Sequence, residues 1–320
     1  MDAAIKKQKT KIKAEAPNSK NKKYRQRSVF KQIWVDRVSY ALIAPFMTVF
    51  LLFTVIPVFV SLLLSFTDFN LLSFPNWVWF ENYIALFLND EVFLIALRYT
   101  MIIAFVTGPI SFVACFLFAW LVNELPGKAR ALMVFLIYVP SISGSAFFVW
   151  SYILGGERYA ILNSILLRLG IIKQPMIFLS NPKYILTCVI VVTIWMSLGA
   201  SFLALIAGLR AVDTNLYEAA AIDGVRNRFQ ELIYVTLPNM KPQLLFAAVM
   251  SIAGAFNCGG VTASLAGNPP PSYVGYTISL HIGDYAGTRF EIGYAGAMNI
   301  LLLLVMLLVN KVVHKYLVDK

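Results

Sequence analysis

Asp213-Thr-Asn-Leu-Tyr-Glu218-Ala-Ala-Ala-Ile-Asp223-Gly224-Val-Arg-Asn-Arg-Phe-Gln-Glu231-Leu-Ile-Tyr-Val-Thr-Leu-Pro238-Asn-Met-Lys-Pro242 is a charged island between two long apolar runs. Asn215 reads as a helix cap, and Glu218 stands three residues on, in the capping-box position. There its charge also suits the positive end of the helix dipole. Ala219, Ala220 and Ala221 are strong helix formers with little bulk. Gly224 ends that helix in the manner of a left-handed C-terminal glycine. A second helical stretch over 227–235 carries Phe229, Leu232 and Ile233, with Leu237 beyond, at spacings of three to four. Pro238 and Pro242 stop it and turn the chain back. The expected product is a short helix-turn-helix with a small-residue face, ringed by Glu218, Asp223, Arg226, Arg228 and Glu231. On the residues alone it is either an amphipathic connector or a rigid element that docks into another protein.

The flanking sequence decides the environment of this island. The chain of 320 residues is 59% hydrophobic and only 13% charged, well away from the balance of soluble domains. A spanning helix needs about 20 mostly apolar residues, and six runs qualify: 40–66, 96–122, 131–154, 184–209, 244–263 and 292–313. Pro45 and Pro57 predict a kink or split in the first. Twelve of the 27 basic residues lie in the first 37 positions. Lys128, Arg130, Arg210, Arg226, Arg228, Lys241, Lys311, Lys315 and Lys320 fall on the same side, giving 21 against six on the other. The positive-inside rule then puts both termini in the cytoplasm.

Residues 1–37 form a basic tail with too little to bury for a fold; it sets topology or holds anionic lipid. It is too long to precede a signal-peptide core, and the first apolar run lacks a cleavage site, so that run stays as an anchor. The net charge of +11 sits mostly in this tail, without interleaved aromatics, which argues against nucleic acid. Cys115, Cys188 and Cys258 are scattered through apolar runs with no metal or redox spacing. His281 and His314 are too few for a metal site or proton relay. Two outer loops stand out: 69–80, rich in aromatics, and 264–291, with Pro269, Pro270 and Pro271 in a row. Either they form a cap for an external partner or they are ordinary connections.

Glu218, Ala219, Ala220, Asp223 and Gly224, with Leu237, Pro238 and Pro242 at the spacing given above, resemble the EAA motif of permease subunits of binding-protein-dependent ABC importers. Further matches to the carbohydrate-uptake branch are the segment 80–87 with Phe93 and Thr100, Tyr138-Val-Pro-Ser-Ile-Ser143 with Trp150, Leu162-Asn163, and Leu169-Gly170. The likeness runs from about 40 to 317 and is nearest to the larger permease of maltose importers, without its additional N-terminal spans or large external domain. Two positions depart from the pattern: Asp213 where many relatives have Pro, and Tyr99 where they have Asn. Asp213 is itself a capping residue.

The resemblance implies an all-α integral membrane protein with six transmembrane helices, in the type I ABC importer (MetI-like) permease fold. It divides into the basic tail (1–37), a first helix with its external loop (38–92), and a permease core (93–317) carrying the coupling loop 213–242. It implies a heterodimer with a second permease, a cytoplasmic ATPase dimer and an extracellular or lipid-anchored solute-binding protein, in the plasma membrane of a bacterium or archaeon. The coupling residues carried over are Glu218, Ala219, Ala220, Asp223, Gly224, Arg226 and Pro238.

ATP hydrolysis falls to the partner, because this chain has no phosphate-binding loop and no catalytic constellation; no cofactor or metal is expected. Trp195, Asn257, Tyr294 and Asn299 are the candidates for the substrate pathway. Gly259 and Gly260 are read either as pathway or as close helix packing. Spans nearly free of ionisable groups favour a neutral cargo, a di- or oligosaccharide. Glycerol phosphate or another polyol derivative is the alternative within the class. A stand-alone secondary carrier is the alternative outside it; it lacks buried acid pairs and an inverted repeat.

Overall fold

The computed structural model describes residues 37–143 and 146–318, so the tail expected over 1–37 lies, but for Arg37, outside the described residues. The chain divides into two compact units at Val58–Phe59. Among the described residues every element is helical except one isolated bridge, Thr67 with Trp77. Four helices are long and apolar enough to cross a membrane, and six if each of two bent pairs counts as one span. The count agrees with the six apolar runs; the boundaries and two internal breaks do not.

The first helix, α1 (Arg37–Leu64), is continuous, so the prolines do not split it. Pro45 lies inside it, and one wide π turn over Leu51–Val55 precedes Pro57. A proline ring collides with the carbonyl four residues back, and widening that turn relieves the collision.

The second unit is built around α3 (Glu91–Asn123), 33 residues long and preceded by the short α2 (Glu81–Leu88). Asp90 caps α3, its carboxylate accepting from the Phe93 amide at 2.8 Å. The buried stripe of α3 includes Ala96, Thr100, Ala104, Gly108, Ser111, Cys115 and Ala119, at spacings of three and four. Such small side chains let neighbouring helices approach closely, the main attraction available between helices in lipid. Around α3 pack α4 (Gly127–Ile142), α7 (Pro182–Met196) and α8 (Ala200–Ala211), with α5 (Phe147–Ile153) set against α7. Also against it lie α11 (Lys241–Phe256), α13 (Ile278–Gly287) and, through α11, α14 (Ile292–Val318). The three cysteines are free and buried.

The fourth run is interrupted where α7 gives way to α8 at residues 197–199. Gly199 sits there because a Cβ would come within 2.9 Å of the Ser141 Cβ on α4. The fifth bends by 42° between α11 and α12 (Gly259–Ala266), with Asn257 and Cys258 at the break. Hydropathy reads both as unbroken because one or two polar residues do not offset the apolar runs on either side. In the connection between α5 and α7, α6 (Ile161–Arg168) carries Asn163, which is fully buried. Its amide nitrogen donates to the carbonyls of Gly155, Glu157 and Met176, and its oxygen accepts from the Met176 amide. One side chain thereby ties the segment 155–176 to itself.

His281 makes a polar contact with a residue far away along the chain. It is 2% exposed and meets Asp90, whose carboxylate also accepts from the Tyr294 hydroxyl at 3.1 Å. This links the cap of α3, the loop helix α13 and the start of α14.

Candidate coupling site

The loop between α8 and α11 folds as α9 (Thr214–Ile222), a tight turn, and α10 (Arg228–Glu231), followed by a π turn (Leu232–Thr236) and one more helical turn (Leu237–Asn239). Asp213, not Asn215, is the cap of α9: its carboxylate accepts from the Asn215 amide at 3.0 Å and from the Asn215 side chain at 3.3 Å. The helix thus starts one residue before Asn215. Glu218 lies beyond the first turn, outside both the capping-box position and the strongest reach of the dipole. Asp213 wins because Val212 enters in extended geometry, which aims the next carboxylate at the free amides.

The C-terminal end follows expectation. Gly224 has φ +97°, its amide reaches the Ala221 carbonyl, and the Val225 amide reaches back to Ala220. This doubly bonded ending needs a left-handed residue. Nothing lies within 4 Å of where a Gly224 Cβ would be, so its backbone angle, not crowding, calls for glycine.

Asn227 caps α10 by accepting from the Gln230 amide. Pro238 does not stop this stretch, since it stands in the first turn of the last helical piece, where its missing N–H costs nothing. The chain turns only at Met240, and Pro242 opens α11. The π turn adds a residue to the period, so the buried side is Leu232, Val235, Thr236 and Met240, while Phe229 and Ile233 face outward.

One contact braces the element internally, and another fastens it to the bundle. The Tyr217 hydroxyl lies 2.9 Å from the Thr236 hydroxyl, tying α9 to the π turn. Arg228 bridges Glu231 at 2.9 Å and Glu124, just past the end of α3, at 3.6 Å. Glu231 first, then Glu124, holds the Arg228 guanidinium more firmly in its charged form. A polar cavity of about 610 Å³ lies between the element and the ends of α3 and α8, bordered by Trp120, Arg130, Arg210, Glu218 and Arg228. The outer side of α9 is open: Glu218, Ala219, Asp223, Gly224 and Arg226 are exposed, Ala220 is half-buried, and Ile222 is 87% exposed. Glu218 also borders the cavity, and Pro238, likewise exposed, lies beyond the π turn. Glu124, Tyr217 and Thr236 gave no signal in the sequence, because each acts through a partner distant along the chain.

The four pathway candidates are placed differently. Asn257 is exposed at the break in the fifth span. Trp195 makes an edge contact with Trp150, ring centres 5.6 Å apart. The Tyr294 hydroxyl is held by Asp90, and Asn299 is exposed on α14. Among the described residues no hydrogen bond or ring contact joins any two of the four.

Comparison with known proteins places this architecture. No family model matches. The chain is 32% identical over 282 residues to a probable ABC transporter permease protein, YesP, of Bacillus subtilis, covering 86% of this chain and 89% of that one. This chain belongs to the ABC transporter permeases. The permease is also 30% identical to the arabinooligosaccharides transport system permease protein AraP of Bacillus subtilis, over 85% of each. It is 28% identical to the trehalose/maltose transport system permease protein MalF of Thermococcus litoralis, over 78% of this chain and 85% of that one. Among solved structures, a chain of a bacterial ABC transporter that imports the acidic polysaccharide alginate superposes with a TM-score of 0.69 at 23% identity, covering 88% of this permease and 97% of its counterpart. The fold is therefore that of an ABC importer permease, and the apolar helices make the permease a multi-pass membrane protein.

Proposed function

We propose that this permease is the translocation subunit of an importer for a di- or oligosaccharide, driven by a separate ATPase through the surface Glu218–Arg226. The exposed, doubly tied helix α9 carries the reading. Its backbone is held at both ends by Asp213 and Gly224, its outer face is small and charged, and Arg228 joins it to the end of α3. A rigid knob on a long helix passes displacement inward, where a flexible connector absorbs it. Relatives named for arabinooligosaccharides, lactose and trehalose/maltose support a sugar cargo. A homologous second permease would complete the pathway, a solute-binding protein would deliver the sugar from outside, and both termini would be cytoplasmic, in a bacterial or archaeal cell membrane. A solved alginate importer in complex with its periplasmic protein supports the external partner. Asn257 at the break and the Trp150–Trp195 pair offer the amide and aromatic faces that a sugar needs, and lie in the pathway on this reading.

The test is uptake of labelled oligosaccharides by the complete transporter in vesicles, with ATPase co-purification as a second readout. Ala219→Trp would abolish both while the permease still inserts. Normal uptake and normal co-purification in that variant would refute the assignment.

A further inference from the structure

The outer connection after α1 holds an apolar surface that coupling and translocation do not use. α1 stays apolar to its last turn, Leu62-Leu63-Leu64, and the chain then folds into a tight hairpin. Thr67 pairs with Trp77, and the Val78 and Trp79 amides both reach the Phe66 carbonyl. Asp68 takes the Asn76 amide at 2.7 Å, and Asn70 accepts from the Leu72 and Ser73 amides. From the other side Asn82 donates to the Ser65 and Thr67 carbonyls at 2.9 Å each, fixing the hairpin to the span end.

What this frame presents is apolar. Leu72 and Phe74 are each 93% exposed, and Leu71, Trp77, Trp79 and Phe80 are exposed with them. Leu71 and Trp79 hold φ of 64° and 53°, which bulky residues rarely adopt. The backbone is thus held against its own preference in a form that turns large side chains outward. No lysine or arginine occurs between Arg37 and Arg98.

We propose that residues 71–80 form an interfacial anchor that lies in the outer headgroup layer of the bilayer, with Leu72 and Phe74 reaching toward the acyl chains. Position supports this occupant. Thr67 is three residues past the end of α1, so it stays within about 10 Å of it. The interfacial layer is roughly 5–7 Å deep on each side of the hydrocarbon. The base of the hairpin is therefore held next to the end of the span. Tryptophan pairs at this depth match the aromatic belts of membrane proteins. The internally bonded backbone tolerates a water-poor layer that an ordinary loop would not. The patch also continues the exposed apolar side of the adjoining helical turn, where Phe59, Val60 and Leu63 face outward.

Spin labels on Leu72→Cys and Phe74→Cys, in the full chain reconstituted in phosphatidylcholine vesicles, test this. Both sites are open, so the fold carries the labels without rearrangement. Collision with oxygen several-fold above collision with a water-soluble nickel chelate, at both sites, is the expected result. It should persist when the complete transporter with its binding protein is assembled. Nickel access equal to or above oxygen access at either site would overturn the anchor. So would shielding of a label from both reagents, in the chain alone or on assembly, because that outcome means a protein partner covers the patch.

Discussion

His281 Nε2 lies 2.9 Å from Asp90 Oδ2, and the two residues are 191 positions apart. Both side chains are nearly inaccessible, at 2% and 9% exposure. The same carboxylate caps α3 through the Phe93 amide and receives the Tyr294 hydroxyl. Three elements therefore share one anion. Leaving a buried donor of this kind without its partner costs about 1–3 kcal/mol. Asp90→Ala is expected to lower the thermal unfolding midpoint of the purified permease in detergent sharply, and Asp90→Asn less so, because the amide still accepts at the helix cap.

The same residue sets an acid limit. Burial alone would push the Asp90 carboxyl up, but the His281 ring, the Phe93 amide and the Tyr294 hydroxyl outweigh it and hold it below its ordinary value of 3.8. A depressed carboxyl stabilises the fold above the unfolded-state value, and that stability is lost as pH falls through the folded-state value. The contribution is thus fully present at neutral pH and fades below about pH 4. Unfolding midpoints measured from pH 6 down to pH 3 should fall more steeply for the wild type than for Asp90→Asn. Parallel curves would contradict this role.

At the loop between α8 and α11, the two capping residues separate cleanly. Asp213→Ala should cost about 1 kcal/mol of local stability through the lost cap, whereas Asn215→Ala should cost little. Amide exchange across 214–222, compared between the two variants, decides it: faster exchange is expected for Asp213→Ala alone.

Gly224→Ala meets no atoms but must hold φ near +97°. A left-handed conformation costs an L-residue about 1–2 kcal/mol. The global unfolding midpoint should barely move, since α9 is exposed, while sugar uptake by the assembled transporter should drop several-fold. An unfolding midpoint that falls together with uptake would mean that the turn serves the fold and not the coupling.

Asn163→Asp keeps the size of the side chain and removes its donors, turning a carboxylate toward the carbonyls of Gly155, Glu157 and Met176. Loss of buried hydrogen bonds of this kind costs roughly 1–3 kcal/mol each. Limited proteolysis should then cut within 155–176 at protease levels that leave the wild type intact.

Much of this architecture is legible in one dimension. The six apolar runs are there because lipid allows backbone groups no partner but their own helix, so each span must declare itself locally. Gly224 declares its turn in the same local way. The cap of α9 cannot be chosen from the residues alone, because Asp and Asn two residues apart are equally good caps, and only the extended backbone at Val212 chooses between them. The π turn at Leu232–Thr236 was invisible, since its residues suit an ordinary helix; it moved Phe229 and Ile233 to the outside and left Pro238 harmless.

Sequence by itself determined that this is a multi-span helical membrane protein, that a charged, alanine-faced element separates its fourth and fifth apolar runs, and which residues lie on that element. Those features rest on hydropathy, capping and backbone angles, all of which act within a few residues. Tertiary structure alone decided that His281 finds Asp90, that Arg228 finds Glu124, that the fourth and fifth spans break, and that Leu72 and Phe74 stand open beside a span end. Each of these depends on which groups become neighbours after packing, and a buried charge or an exposed phenyl ring has its meaning only from those neighbours.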